Sequence, residues 1–251
     1  MSEKILIGTA TYNESENIVK LIKSIFSLYP KADILVIDDS SPDKTYDLLK
    51  LLKKKNKNLN LIVRKKKEGL NTAHKIMYNF ALKKKYNFLI TMDADFSHNP
   101  KDIKKILTYL KFYDFVIGSR YISGGKCNMK FMRFLISKYG NLVIKYILKT
   151  NVSENTTSFR GFNLNKMRNK NFNLNLIKSS GYSFFMETIH YLRKKKCSIK
   201  EVPIVFNDRQ HGKSKIPKLE TLRTLKNLII LRVLDFFNYL KKYNLYEIYI
   251  K

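Results

Sequence analysis

Five short apolar runs, separated by stretches of helical periodicity, occupy the first half of this chain, and that alternation restricts its fold more than any other feature. Ile5-Leu6-Ile7, Ile34 to Ile37, Leu59 to Val63, Phe88 to Met92 and Asp114 to Gly118 read as strands, each a brief apolar run near turn-forming residues. Between them, Ser15 to Leu28 repeats Ile18, Leu21, Ile22 and Ile25 on one helical face, and Lys44 to Lys54 carries Leu48, Leu49, Leu51 and Leu52. Asn71 to Leu82 and Lys101 to Leu110 supply two further helices. Strand, helix, strand in this rhythm predicts a mainly parallel α/β sheet covered by helices on both faces. Such sheets bind ligands beyond the carboxyl ends of their strands. Tyr12 to Glu14, Asp38-Asp39 and Asp93-Asp95 each follow a strand, so all three are expected to open onto one crevice.

Those acids admit two readings each. Asp93 and Asp95 would point to opposite faces if their strand continued. At a strand-to-loop junction they can converge, and a converged oxygen pair suits a hard cation bound to a diphosphate. The competing reading is a helix-capping Asp beside a solvated one. Asp38-Asp39, before Ser40-Ser41-Pro42, is either a turn with an Asx cap or a nucleoside contact. Glu14 is either a capping residue of the first helix or part of the crevice.

The second half is less regular. Lys130 to Leu148 and Gly181 to Leu192 read as helices, Ser198 to Phe206 as one strand, and Lys218 to Tyr239 as a basic amphipathic helix. We therefore expect a catalytic domain over residues 1–217 and a basic amphipathic helix and tail over 218–251, with no linker long enough to separate independent domains. Arg120, Arg133, Arg209 and Lys215 are the candidate anion ligands, since arginine grips phosphate bidentately and lysine acts as a point charge. Taken singly, each is equally a surface ion-pair partner.

Composition enters through charge. The net charge of +29 predicts attraction to a polyanion: nucleic acid, anionic lipid or a phosphorylated substrate. Much of it lies in runs such as Lys53-Lys54-Lys55, Arg64 to Lys67, Lys83 to Lys85 and Arg193 to Lys196, which are expected in solvated loops. These runs lack the interleaved aromatics of a single-strand platform, and no helix-turn-helix or zinc-finger spacing occurs, so a nucleic-acid partner is not expected. Cys127 and Cys197 show no metal or disulfide spacing, which fits a reducing compartment. No signal peptide is read at the N-terminus, and no apolar stretch reaches the roughly 20 residues of a membrane span.

In order along the chain stand Thr11-Tyr12-Asn13-Glu14, Asp38 to Asp43, Gly69-Leu70-Asn71-Thr72-Ala73, Met92 to His98, Gly118-Ser119-Arg120-Tyr121, and Asp208 to Lys215. Together they resemble the dolichol-phosphate mannose synthases, inverting glycosyltransferases of family 2 with a GT-A fold. The resemblance runs from Ile5 to about Leu231. It implies that Ala10, Tyr12, Glu14, Ile37 and Asp39 line the nucleotide part of a GDP-mannose site. It further implies that Asp93, Ala94 and Asp95 hold donor and metal (Mg2+ or Mn2+), with Ser97 contributing. Arg120, Arg209 and Lys215 would contact phosphates of donor or acceptor, and Arg133 and Ser137 those of a polyprenyl (dolichyl-type) phosphate. Asp95, Arg120, Arg209 and Lys215 are thus the expected catalytic set. The chain departs from the family at Ala10, usually proline, and at Ser40 and Asn71, usually glycine. Glu187 is weighed as a base or as support behind the site.

The resemblance also implies a membrane-borne acceptor. The Lys218 to Tyr239 helix either lies on an anionic surface or packs on the core, and a membrane-anchoring partner subunit is a further route to the bilayer. The expected location is peripheral, at the cytoplasmic face of a membrane. Transfer of glucose or an aminosugar from a UDP-sugar is the alternative chemistry, because the acidic motifs alone do not select the base or the sugar.

Overall fold

The apolar runs become the strands of one large sheet, and their helices close over both of its faces. The computed structural model describes residues 3–208 and 220–242 of the chain. In chain order the strands are β1 (Ile5–Thr11), β2 (Asp33–Asp38), β3 (Leu59–Val63), β4 (Phe88–Asp93), β5 (Phe115–Ser119), β6 (Lys126–Asn128), β7 (Arg160–Asn163), β8 (Ile199–Pro203) and β9 (Val205–Asn207). The helices are α1 (Ile18–Leu28), α2 (Thr45–Lys55), α3 (Leu70–Lys83), α4 (Ile103–Leu110), α5 (Phe131–Leu148), α6 (Leu164–Asn169), α7 (Gly181–Lys194) and α8 (Glu220–Lys242).

The seven-stranded sheet has the order β3-β2-β1-β4-β7-β5-β8. Neighbours are parallel except around β7, which runs antiparallel to both β4 and β5. One apolar layer joins the sheet to α3 and α7 through Ala73, Met77, Phe185 and Ile189. The other joins it to α1 and α4 through Ile18, Leu21, Ile22, Ile25, Ile103 and Ile106. A sheet buried on both faces explains why β2 and β4 read as continuous apolar runs rather than alternating ones.

Beyond β6 and α6, which the sequence reading did not contain, two differences from it have local causes. Ser198 to Phe206 forms two strands, not one: β8 extends the large sheet beside β5, while β9 pairs with β6. Between them Ile204 donates its N–H to the Ser119 carbonyl and accepts from Lys126, switching the chain from one sheet to the other. The second difference is β7, inside a stretch that shows no strand signal. Its four residues, Arg-Gly-Phe-Asn, are all buried yet lack both alternation and an apolar run. The helix read from Lys218 begins, within the described residues, at Glu220. Its Leu228 and Leu231 pack with Ile144, Leu148 and Met186 of α5 and α7, so this helix docks on the core.

Candidate active site

Strand register brings the predicted nucleotide and metal residues together. Ala10 lies opposite Ile37 on one side and Asp93 on the other, and Thr11 lies opposite Asp38. The exits of β1, β2 and β4 therefore share one edge, as the topology rule requires. Each exit contains a non-glycine residue with positive φ: Asn13 at 57°, Ser40 at 51° and Phe96 at 61°. Backbone of this kind costs of order 1 kcal/mol per residue, so the loops must be held by other contacts. Asn13 donates its N–H to Ser41 Oγ at 3.0 Å, and Ser40 Oγ donates to the Arg64 carbonyl.

Of the two carboxylates after β2, Asp38 takes the turn-closing part. Asp38 is an Asx cap: Oδ2 accepts from the Ser41 N–H at 3.0 Å, and Oδ1 accepts from Thr11 Oγ1 at 2.9 Å and Ser41 Oγ at 2.6 Å. Asp39 instead accepts from Arg64, whose other nitrogens reach Thr72 and the Gly69 carbonyl. Arg64 is 6% exposed, which corrects its expected place in a solvated basic run. Its charge is retained inside because Asp39 and two neutral oxygens surround it. The other runs end α2, α3 and α7, where cations suit the helix dipole. Burial raises the Asp39 carboxyl above the usual range, against the opposing pull of Arg64. Glu14 begins α1 through its backbone, its carbonyl accepting from Asn17 and Ile18, while its carboxylate accepts from Asn17 Nδ2 at 2.9 Å. The N-cap position itself is Asn17, and no side chain caps α1, so Glu14 supports the turn before the helix rather than capping it. Lys67 lies over the Tyr12 ring at 4.5 Å.

After β4, Asp93 Oδ1 accepts from Ser158 Oγ at 2.6 Å. Asp95 Oδ1 accepts from the Ser97 hydroxyl at 2.6 Å and its N–H at 3.1 Å. Ser97 thus orients Asp95. Two oriented carboxylates, with hard oxygen donors, fit a magnesium-like ion shared with substrate phosphates. Among the described residues no cluster of three or more acidic, His or Cys side chains could hold a metal by itself. His98 is a core histidine stacked on Phe159. Burial lowers its pKa below the ordinary value, and the Asp93 N–H donates to Nδ1, which puts the neutral ring's proton on Nε2 toward Thr157 Oγ1 at 3.3 Å.

The basic wall is less free than its charges suggest. Arg120, beyond β5, makes a bidentate pair with Glu154, Nε–Oε2 at 2.6 Å and Nη2–Oε1 at 2.8 Å. Burial opposes the Arg120 charge, but Glu154 outweighs it and raises the guanidinium pKa. Arg133 on α5 pairs with Asp208 at 2.6 Å and is about half exposed. Ser137, one turn along, accepts from the Tyr121 hydroxyl at 2.7 Å. Arg209 and Lys215 lie outside the described residues. Glu187 accepts the N–H groups of Lys178 and Ser179 at the start of α7, as support for a loop.

Residues that sequence reasoning missed tie these walls together. Tyr182 lies within the electrostatic reach of Arg133, Arg120, Asp93 and Glu220; burial raises its pKa, the two arginines lower it and the acids raise it. The segment 154–158 bonds to both sides, Glu154 to Arg120 and Ser158 to Asp93. Glu154 and Arg160 were also missed, and no local signal marked either.

Comparison with known proteins gives a consistent result. Glycosyl transferase family 2 matches residues 7–169. An undecaprenyl-phosphate mannosyltransferase from Micrococcus luteus is 32% identical over 85% of this chain and 87% of its own length. A polyprenol monophosphomannose synthase from Mycolicibacterium smegmatis is 30% identical over 86% of this chain and 82% of its own. Among solved structures, glucosyl-3-phosphoglycerate synthase from Mycobacterium tuberculosis, in complex with Mn2+, UDP and glucosyl-3-phosphoglycerate, superposes with a TM-score of 0.65 at 12% identity, covering 91% of this chain and 79% of that one. A mannosyltransferase from Pyrobaculum calidifontis, in complex with GDP-Man and Mn2+, gives a TM-score of 0.54 at 13% identity, covering 84% of this chain and 59% of that one. The fold is GT-A-like.

Proposed function

Because the chain belongs to glycosyltransferase family 2, we propose that it transfers mannose from GDP-mannose to a polyprenyl phosphate, with inversion, giving polyprenyl β-D-mannosyl phosphate and GDP. The observation that carries this reading is the composition of α5. The helix that bears Arg133 and Ser137 also exposes Phe131, Met132, Ile136, Tyr139, Val143 and Tyr146. A phosphate-binding side chain on an exposed apolar helix suits an acceptor with an anionic head and a hydrocarbon tail. The mannosyltransferase and mannose synthase names of the two relatives support the same acceptor class and sugar.

The chemistry follows from the groups present. A phosphate monoester is already largely dianionic near neutral pH, its second pKa being about 6, so the acceptor needs no strong base. Ala10, Tyr12, Glu14, Ile37 and Asp39 would bind the nucleoside, with Arg64 holding Asp39 in place. Asp93, Ala94 and Asp95 would receive the diphosphate and a divalent ion, Mg2+ or Mn2+, and Ser97 would fix Asp95. Bound there, the ion would neutralise charge on the departing diphosphate. Arg133, Arg209 and Lys215 would offset repulsion between acceptor and donor anions, and Arg120 would donate to the substrate phosphates. An acceptor oxygen attacks the anomeric carbon opposite GDP; that C–O bond forms as the bond to GDP breaks.

The same reading puts the protein peripherally at a cytoplasmic membrane face, directly or through an anchoring subunit, with residues 218–251 assisting the catalytic part. No helix among the described residues is long and apolar enough to cross a membrane.

Purified protein offered GDP-mannose, UDP-glucose and UDP-N-acetylglucosamine with a short polyprenyl phosphate, with and without Mg2+ or Mn2+, tests the proposal. Mannosyl transfer that needs both GDP-mannose and a divalent ion is expected. Asp95→Ala should lower turnover at least ~100-fold, the scale of losing a transition-state electrostatic contact, while leaving the melting temperature near wild type. Near-normal turnover in that variant would remove the metal assignment, and transfer from a UDP-sugar alone would replace the donor.

A further inference from the structure

The segment between α5 and β7 touches both walls of the site. Ser158 Oγ holds Asp93, Thr157 Oγ1 faces His98, and Glu154 holds Arg120. It is fastened from three other directions. Glu201 on β8 accepts the N–H groups of Ser153 and Glu154 at 2.8 and 3.0 Å. Asn141 on α5 accepts the Asn155 N–H at 2.6 Å. Arg160 on β7 donates to the carbonyls of Asn155, Thr157 and Phe185, the last on α7. Arg160 is 1% exposed, and burial lowers its pKa to about 9. Its three backbone contacts are what make so buried a cation tolerable.

Within this strap Glu154 is the centre. Its side chain is fully buried, and besides Arg120 its Oε1 accepts the Thr156 and Thr157 N–H groups at 3.2 Å each. A carboxylate held by its own loop cannot swing to follow Arg120; Arg120 must come to it. The guanidinium also lies over the rings of Tyr121 and Phe206, at 4.9 and 5.0 Å. Nε and Nη2 are committed to Glu154, whereas Nη1 carries no hydrogen bond among the described residues.

We propose that Glu154 is a positioning residue, which fixes the Arg120 guanidinium so that Nη1 is presented to the substrate phosphates and cancels its charge, so that Arg120 acts as an aimed donor rather than a net cation. The inference rests on the transferase reading above. It assigns anion neutralisation to the other bases and aim to Arg120. A bidentate pair suits this task, because it fixes the plane of the guanidinium as well as its place.

Glu154→Gln preserves shape and removes the charge. It should lower kcat by about tenfold or more, as misplacement of a positioned group does, with donor KM changed less than about twofold. Because the Arg120 charge is then uncompensated, inorganic pyrophosphate should bind more tightly, by about threefold or more for one extra cation at a partly screened site. Calorimetry with pyrophosphate alone reads this without any turnover, so it remains decisive if the wild type proves inactive on polyprenyl phosphate. A purely structural role would lower the melting temperature and weaken both properties together. Wild-type kcat in a folded Glu154→Gln, or unchanged pyrophosphate affinity, overturns the proposal. Should that variant fail to fold, Arg120→Met/Glu154→Met removes both buried charges, an exchange that folded proteins often tolerate. Its kcat should fall about tenfold or more with pyrophosphate affinity no higher than wild type, and wild-type kcat in it would refute the assignment.

Discussion

At the scale of single residues, adjacent side chains with the same chemistry have different tasks. Asp38 and Asp39 are neighbours, yet one closes a turn and the other holds a buried arginine. Ser40, where the resembling family has glycine, sits at a φ of 51°; its hydroxyl contact to Arg64 offsets a strain that glycine would not have. His74 on α3 shows what burial alone does. It is 3% exposed and packs edge-on against Phe185 at 5.1 Å. Burial, with the Arg160 charge adding to it, lowers its pKa from 6.5 to about 3. A depressed histidine stabilises the fold above its unfolded pKa, and that stability is lost as pH falls toward the folded value. Between pH 6.5 and about 3, His74 should therefore contribute a loss of up to ~1.4 kcal/mol per pH unit, one proton's worth. Urea titrations of wild type and His74→Phe across this range check it; equal slopes of stability against pH would refute the assignment.

At the scale of elements, β7 is the piece on which the site's second wall depends. It inserts antiparallel between two strands that would otherwise have to pair directly, and it follows immediately on the strap carrying Glu154 and Ser158. Its Gly161 lies under α4: a Cβ there would stand 2.4 Å from Ile106 Cγ2 and 2.8 Å from Leu110 Cδ1. Gly161→Ala should cost about 1–3 kcal/mol through overpacking, read as a lower urea midpoint at unchanged m-value. An unchanged midpoint would mean that α4 rides further from the sheet than described. The longer helices, by contrast, were legible to within a few residues from their apolar spacing, because a helix's own face reports its burial, whereas the short α6 was not read. β7 offered no such report, since a strand made of arginine, glycine, phenylalanine and asparagine is buried by its neighbours rather than by its composition.

For the whole molecule, charge and apolar surface are divided between different regions. The acids gather at the exits of β1, β2 and β4, while α5 and α8 expose large apolar side chains, including Phe131 and Tyr146 at 71% each. An exposed apolar face of this extent marks an interaction surface, and the lysines and arginines of a +29 chain favour an anionic one. Vesicles containing anionic phospholipid should float the protein at low salt, and neutral vesicles should float it less. Replacing Phe131, Ile136 and Tyr139 together by serine should reduce flotation at least ~10-fold, from lost apolar burial of a few kcal/mol. Undiminished flotation of the triple variant would show that α5 is not the contact. The sequence reading weighed only the last helix and a partner subunit for membrane contact; the exposed face of α5 is visible only once the helices are packed.

Local order in the chain was enough to determine the parallel strands and to put the acids at their exits, because hydrophobic period and turn chemistry act over a few residues. The partners of the charges were decided by tertiary structure. Asp39 meets Arg64 across 25 positions and Arg120 meets Glu154 across 34, distances over which no periodic signal extends. A buried guanidinium must find a carboxylate or carbonyls, but which one is nearest depends on strand order and on the antiparallel turn-back of β7.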